Sequence, residues 1–385
     1  MTVILPGATL GVMGGGQLGR MFVHAAQRMG YFTAVLDPDP ASPAGLVAHY
    51  HIKTSYLDEK GLAQLMQRSA AITTEFENVP APALVTLGAH RPVAPGAAAV
   101  AIAQDRGQEK AHFIDCGVPC APFALVETPD QLAAVKAELL PGVLKTARLG
   151  YDGKGQVRVK NREELQHAWD ELKRVPCVLE KLLPLACECS VIVARGHDGQ
   201  MVHLPPQLNR HRGGILAVTE VYPDSVPAPQ ARHAVTAAKA VAEGLGYVGV
   251  LCLEFFVLAD GSLVVNEMAP RPHNSGHYSM DACDVSQFEL QVRALAGLPL
   301  PLPRQHSPAI MLNLLGDLWF AHGDAERTPD WDQVLALPGA HLHLYGKLNA
   351  RRGRKMGHLT LTGATVEAVR TAAMKAAGLL GIEPF

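Results

Sequence analysis

The run Val248-Gly-Val-Leu-Cys-Leu-Glu-Phe-Phe-Val-Leu258, the turn Ala259-Asp-Gly261 and the run Ser262-Leu-Val-Val-Asn-Glu-Met268 read as two strands of one hairpin. Apolar, β-branched and aromatic residues on both sides of a short Asp-Gly turn are a strong local signal for paired strands. Each run carries one carboxylate, Glu254 and Glu267, and Asn266 precedes the second. An isolated buried carboxylate is costly, so this pair needs positive charge. Either the two hold Mg²⁺ through oxygen while leaving room for phosphate ligands, or they pair with basic side chains. The segment Ala269-Pro-Arg-Pro-His-Asn-Ser-Gly-His277 follows at once. There Arg271 offers a bidentate anion clamp, and His273 and Asn274 add shorter hydrogen-bonding groups.

Towards the amino terminus, residues 9–36 read strand, glycine turn, helix, strand, a βαβ opening. Gly14, Gly16 and Gly19 satisfy G-x-G-x-x-G, and Asp37 follows at about the spacing of a ribose-binding acid. Backbone N–H groups at such a helix start can hold phosphate, with dinucleotide binding or a plain tight turn as the other readings. The first domain is expected to end in the Gly/Pro/Ala-rich stretch 88–100. A helix near 105–116 follows, Thr128-Pro-Asp-Gln131 and Asn161-Arg-Glu-Glu164 carry helix-capping signals, and 142–146, 155–159 and 177–180 look like strands. The loop Gly150-Tyr-Asp-Gly-Lys-Gly155 is a candidate lid; with Gly155 after Lys154, in place of Ser or Thr, it is not a Walker loop.

A helix over 229–244 precedes the hairpin, and the proline-rich Leu298–Pro308 marks a second boundary. Extended runs at 309–315, 341–345 and 358–362 and an amphipathic helix over 366–379 complete the chain. The resulting expectation is a mixed α/β and α+β protein: a doubly wound domain over 1–100, a central domain over 101–300 and a small carboxy-terminal domain over 301–385.

With 34 basic and 36 acidic residues among 385, the chain has a net charge of -2 and no general field for nucleic acid. Seven scattered cysteines without C-x-x-C fit buried thiols in a reducing compartment rather than a disulfide scaffold or cysteine zinc site. The amino terminus has no basic leader region, and no apolar run is long enough to span a membrane, so a cytoplasmic protein without membrane contacts is expected. Neither a G-x-S-x-G elbow nor H-E-x-x-H occurs, which lowers serine-hydrolase and zinc-peptidase readings.

Six segments in order resemble the N5-carboxyaminoimidazole ribonucleotide synthetase family, the ATP-grasp carboxylases of bacterial and fungal purine synthesis. They are Gly14-Gly-Gly-Gln-Leu-Gly-Arg-Met21, Thr74-Glu-Phe-Glu-Asn-Val79, Gly150-Tyr-Asp-Gly-Lys-Gly-Gln156, Asn266 to His277, Ser286-Gln-Phe-Glu289 and Gly353-Arg-Lys-Met-Gly-His358. The resemblance implies a preATP-grasp domain, an ATP-grasp domain with ATP between two antiparallel sheets, a small carboxy-terminal domain and a homodimer. It implies a ligase that joins bicarbonate to 5-aminoimidazole ribonucleotide at the expense of ATP.

By the same resemblance Lys110 and Lys145 contact ATP phosphates. Glu180, Lys181, Leu183 and Glu188, with His211 and Asn266, serve the rest of the nucleotide, and Glu254 and Glu267 hold Mg²⁺. Substrate phosphate and ribose fall to Gly16, Gln17, Leu18, Lys347 and Arg354. Glu75, Tyr151, Asp152, Lys154, Arg271, His273 and Asn274 line the carboxylation site, with Asp152, Lys154, Arg271 and His273 closest to the chemistry. Two departures stand out: Leu149 where the family usually has glycine, and Leu208 where a polar residue is commoner. A formate-dependent glycinamide ribonucleotide transformylase is the alternative within the same superfamily.

Overall fold

The computed structural model describes residues 2–150, 154–321 and 323–385. Strands β1 (Thr9–Met13), β2 (Phe32–Leu36), β3 (Tyr50–Ile52) and β4 (Ala71–Thr74) form a parallel sheet in the order β3-β2-β1-β4. The glycine turn leads from β1 into the helix Gln17–Arg28, and the helix Glu59–Arg68 precedes β4. Leu10, Val12, Val35, Leu36 and Ile72 are buried, as a parallel sheet covered on both faces requires. The stretch 88–100, expected as a boundary, holds the start of another helix, Ala97–Ala103. Its sequence is alanine-rich, and that helix propensity prevails over the flanking Gly and Pro.

A small antiparallel sheet runs β5-β8-β6-β7, from β5 (Phe123–Val126), β6 (Gly142–Thr146), β7 (Gln156–Val159) and β8 (Cys177–Lys181). Its helices start where the caps predict. Thr128 and Gln131 close a reciprocal capping box, and the Asn161 side chain accepts from the Glu164 N–H at 2.9 Å.

The remaining strands form one large sheet. They are β9 (Leu185–Arg195), β10 (Met201–His203), β11 (Gln207–Arg212), β12 (Ile215–Val221), β13 (Gly249–Leu258), β14 (Leu263–Ala269), β15 (Ala309–Leu315), β16 (Ala340–Leu344) and β17 (Lys355–Thr362). The order is β14-β13-β9-β11-β12-β15-β17-β16, with β10 added on β9. Pairing of β12 with β15, from Val218 opposite Leu312 to Val221 opposite Ala309, carries the sheet across the proline-rich segment. That segment interrupts the regular structure of the chain while the hydrogen-bonded ladder continues beyond it. Leu208 on β11 joins the apolar cluster under this sheet, which accounts for its departure from a polar residue.

The first sheet is joined to the large one through the helix Gln287–Ala296. Its Phe288, Val292 and Leu295 share a core with Leu18, Met21 and Phe22 of the first helix. From the same helix, buried Gln291 accepts from the Val250 N–H at 2.6 Å and donates to Thr73 Oγ1 at 2.8 Å. Gln291→Leu keeps the volume but leaves two buried polar groups without partners. We expect it to destabilise the fold by roughly 2–4 kcal/mol, read as a fall in the urea midpoint.

Candidate active site

Glu254 and Glu267 lie directly opposite each other across β13 and β14. The register then slips, so that Phe255 faces Val265 and Asn266 is the extra residue of a bulge. Regular alternation would send Asn266 and Glu267 to opposite faces; at the bulge both line one cavity. The Glu267 carboxylate is 2.9 Å from Arg106 Nη1, and the Oε1 of Glu254 is buried with no hydrogen-bond partner among the described residues. Burial raises Glu254, and the charge of Glu267 raises it further. Burial also acts to raise Glu267, but Arg106 and then Lys145 outweigh it and hold Glu267 below the usual carboxylate range.

Two adjoining cavities meet at this pair, sharing Arg106, Glu254, Glu267, His273, Asn274 and Lys355. The larger, about 580 Å³, lies between the small sheet and the large one. Lys145, Lys154, Glu180, Lys181 and Leu183 enter it from one side, and Glu188, His211 and Asn266 from the other. His211 Nδ1 is 2.7 Å from Glu188 Oε2. Lys145 Nζ donates to Glu180 Oε2 at 3.0 Å and reaches Asn266 Oδ1 at 3.5 Å. The smaller, about 350 Å³, opens towards the first domain, with Gln17, Leu18, Glu75, Arg271, His273 and Asn274 among its walls.

Arg271 is gripped by Glu77 through its Nε, and the His273 backbone N–H donates to Gln287 Oε1 at 2.9 Å. These contacts fix the loop after β14 on the helix Gln287–Ala296. The His273 Nδ1 faces the Ser275 hydroxyl at 3.0 Å and accepts from its N–H at 3.4 Å, which puts the ring proton on Nε2, 3.6 Å from Glu254 Oε1. Burial, then Arg271 and Lys355, lowers the His273 pKa well below the ordinary value and keeps the ring neutral. Both side-chain amide atoms of buried Asn274, which borders both cavities, lack hydrogen-bond partners among the described residues.

Several expected residues lie elsewhere. Lys110 lines neither cavity: its ammonium is buried against Glu180 Oε1 at 3.1 Å, with a side-chain exposure of 1%. At the glycine turn the helix-start donors already have an anion, because Gly16 and Gly19 N–H groups donate to the Glu75 carboxylate at 2.8 and 3.2 Å. A Cβ at Gly16 would sit 2.5 Å from Glu75 Oε1, so the glycine is needed for this approach. Asp37 is likewise engaged, accepting from the Gly15 N–H at 2.7 Å and from the Tyr56 hydroxyl at 2.6 Å. Lys347 and Arg354 also stand outside both cavities, donating to the carbonyls of Lys355 and of Asn349. Tyr151 and Asp152 lie outside the described residues. Leu149 borders the smaller cavity with a left-handed φ of 61°, a conformation glycine adopts without steric cost.

Three contributors escaped the sequence reading. Arg106 had a signal: Asp105 caps the helix Arg106–Asp115, and a cation in a first helical turn opposes the helix dipole unless an anion compensates. Lys355, at the start of β17, lines both cavities and sits inside the basic run 351–355 without a pattern to single it out. Glu109 accepts from the Met268 N–H at 2.6 Å and so holds the strand beside Glu267; burial pushes its carboxyl up to about 8.

Three family models match in sequence: a ribonucleotide synthetase preATP-grasp domain over residues 7–104, an ATP-grasp domain over 111–288 and a phosphoribosylaminoimidazole carboxylase C-terminal domain over 309–372. The N5-carboxyaminoimidazole ribonucleotide synthase of Brucella melitensis is 46% identical over 362 residues, covering 93% of this chain and 97% of that one. The crystal structure of the Staphylococcus aureus synthetase complexed with ADP superposes with a TM-score of 0.89 at 37% identity, covering 98% of both chains. The Aspergillus clavatus synthase in complex with ADP and 5-aminoimidazole ribonucleotide gives 0.88 at 30% identity, over 97% of this chain and 98% of that one. The opposed carboxylates, the paired cavities and this likeness over nearly the whole length lead to one conclusion: the chain belongs to the N5-carboxyaminoimidazole ribonucleotide synthase family of ATP-grasp enzymes.

Proposed function

We propose that the chain converts 5-aminoimidazole ribonucleotide, bicarbonate and ATP to N5-carboxyaminoimidazole ribonucleotide, ADP and phosphate, through carboxyphosphate. The observation that carries this reading is the meeting of two cavities at one carboxylate pair, in a chain whose relative from Aspergillus clavatus holds ADP and 5-aminoimidazole ribonucleotide together. ATP occupies the larger cavity, between the two antiparallel sheets, and the ribonucleotide occupies the smaller. A homodimer acting in the cytoplasm belongs to the same reading. Among the described residues no helix is long and apolar enough to cross a membrane.

The donor set at the pair suits Mg²⁺: two carboxylates face each other, one carboxylate oxygen is buried without a partner among the described residues, and an amide oxygen stands beside them. Glu254 and Glu267 would hold the ion, with Asn266 alongside, and the ion would offset charge on the phosphoryl group in transit. Arg106, Lys145 and Lys154 supply further positive charge around the nucleotide phosphates.

Bicarbonate is a poor electrophile, and transfer of the terminal phosphoryl group of ATP to one of its oxygens activates it. The exocyclic amine of the ribonucleotide then attacks the carboxyl carbon, the bond to phosphate oxygen breaks, and the nitrogen loses a proton. Carbon dioxide released from carboxyphosphate would reach the same product. Arg271, fixed by Glu77, and Asn274 orient the acceptor and the carboxyl group. Neutral His273 holds its proton on the nitrogen facing Glu254, which fits a positioning donor better than a base. The lid carrying Tyr151, Asp152 and Lys154 would exclude water from the labile intermediate.

The deciding assay is ADP formation with Mg²⁺, ATP, bicarbonate and 5-aminoimidazole ribonucleotide, run beside formate and glycinamide ribonucleotide. Turnover is expected only with the first set, and turnover confined to the second would move the chain to the transformylase reaction. Glu254→Ala and Glu267→Ala should each lower kcat by about 10²–10³-fold or more, and full activity in both would remove the metal assignment. Lys145→Met should act chiefly on ATP use, seen in KM and kcat. Lys110→Met should act chiefly on stability, by about 3 kcal/mol in denaturant titration, because it strips one partner from a buried carboxylate.

A further inference from the structure

A second group of ligating side chains lies away from the carboxylate pair, where the helix Ser279–Ala282 meets the hairpin of β16 and β17. His343 and His358 are direct register partners on β16 and β17. Their rings stack, with centroids 4.5 Å apart and planes 14° from parallel. Asp281, on the short helix that follows the loop 269–277, places its carboxylate oxygens 3.1 and 2.9 Å from His343 Nε2. One donor atom from each of Asp281, His343 and His358 falls within 4.8 Å of the other two. None of the three lines the cleft.

His358 is fully buried, and its Nδ1 is engaged by the Tyr345 hydroxyl at 3.0 Å. The other ring nitrogen, Nε2, is buried and has no hydrogen-bond partner among the described residues. An orphaned buried nitrogen costs about 1–3 kcal/mol unless something binds it. A ring nitrogen tied to a hydroxyl while the other stays open is also the arrangement that orients histidine towards a metal.

We infer that Asp281, His343 and His358 form a binding site for a divalent transition-metal ion of the zinc class, which clamps the helix Ser279–Ala282 to the β16–β17 hairpin. Two imidazoles and a carboxylate are donors suited to zinc rather than to magnesium. His341, two residues before His343 on the same strand face, has its Nδ1 3.8 Å from Asp281 Oδ1 and stands ready as a fourth donor. Tetrahedral bonds of about 2.1 Å separate donor atoms by roughly 3.4 Å and lie in the imidazole planes, so binding requires His343 both to close on the ion and to turn out of its stack on His358. His343 is only partly buried, with a side-chain exposure of 26%, which leaves it room to move and the ion a path from solvent.

The placement gives the clamp a consequence. His277, at the end of the loop that carries Arg271, His273 and Asn274, packs its ring 4.7 Å from that of His358. Three residues before His358 stands Lys355, which lines both cavities. An ion bound here would therefore brace two segments that wall the cleft while remaining outside it.

The test uses the full chain stripped with a chelator and titrated with Zn²⁺ by calorimetry and with Co²⁺ by visible absorption. It is run in the natural sequence and in a Glu254→Gln/Glu267→Gln background that removes the cleft carboxylates. One equivalent of Zn²⁺ in both, with the intense visible band of four-coordinate cobalt, is expected. His343→Ala and Asp281→Asn should each weaken that binding by more than about tenfold, with thermal melts in chelator matching the parent. Zinc binding that disappears with the cleft glutamates, or that His343→Ala leaves unchanged, would overturn the assignment and reduce the cluster to a hydrogen-bonded histidine and carboxylate.

Discussion

Two carboxylates facing each other across adjacent strands of an apolar hairpin are the constraint around which the cleft is organised. Like charges at that separation, removed from water, do not both stay ionised unless cations surround them. Arg106 answers Glu267 from the start of a helix, Lys145 arrives from the opposite sheet, and His273, as a neutral ring, turns an N–H towards Glu254 from the loop just beyond the hairpin. Each of these groups belongs to a different part of the chain. The electrostatic demand of the pair is met only by bringing those parts together, and the cavity left among them is the site.

The same logic separates charges that build the site from charges that serve it. Glu180 lies between Lys110 and Lys145, one on each carboxylate oxygen, and its neighbouring cations overcome burial to hold it below the ordinary carboxylate range. Of the two lysines, Lys110 is sealed from the cleft, whereas Lys145 reaches into it. Glu75 plays the structural part at the first domain, where it caps the helix Gln17–Arg28 from 59 residues beyond Gly16. It thereby fills with a fixed carboxylate the position that a glycine turn of this kind offers to phosphate.

The large sheet carries one wall of the cleft across the proline-rich segment of the chain. Strand β15 pairs with β12, and β17 with β15, so Lys355 at the start of β17 is held in the same sheet as Glu254 on β13. On the other side, the helix Gln287–Ala296 sits between the parallel sheet and the large one, and its Gln287 and Gln291 bond to the loop after β14 and to the first domain. The floor of the cleft is therefore braced from both ends of the sequence.

Most elements were legible locally. Capping residues at Thr128 and Asn161, the Asp-Gly turn after β13 and the alternation of apolar runs are signals carried by neighbouring residues, and they placed helices and strands close to where they stand. The carboxylate pair and the loop 271–274 were also visible, because acids in an apolar strand and a dense polar run after it are anomalies of composition. The roles of Lys110 and Lys145 were not separable, since two lysines near apolar residues look alike until burial distinguishes them. Asn266 needed the bulge, Arg106 needed its partner 161 residues away, and the orphaned nitrogen of His358 needed the packing of a strand, a helix and a tyrosine. The amino-acid sequence by itself determined the element types, the family and the chemistry available to the cleft, because these rest on short-range patterns and side-chain identity. Only the tertiary structure decided which charges face the cleft and which pair with one another, because that depends on distance and burial between residues remote in the chain.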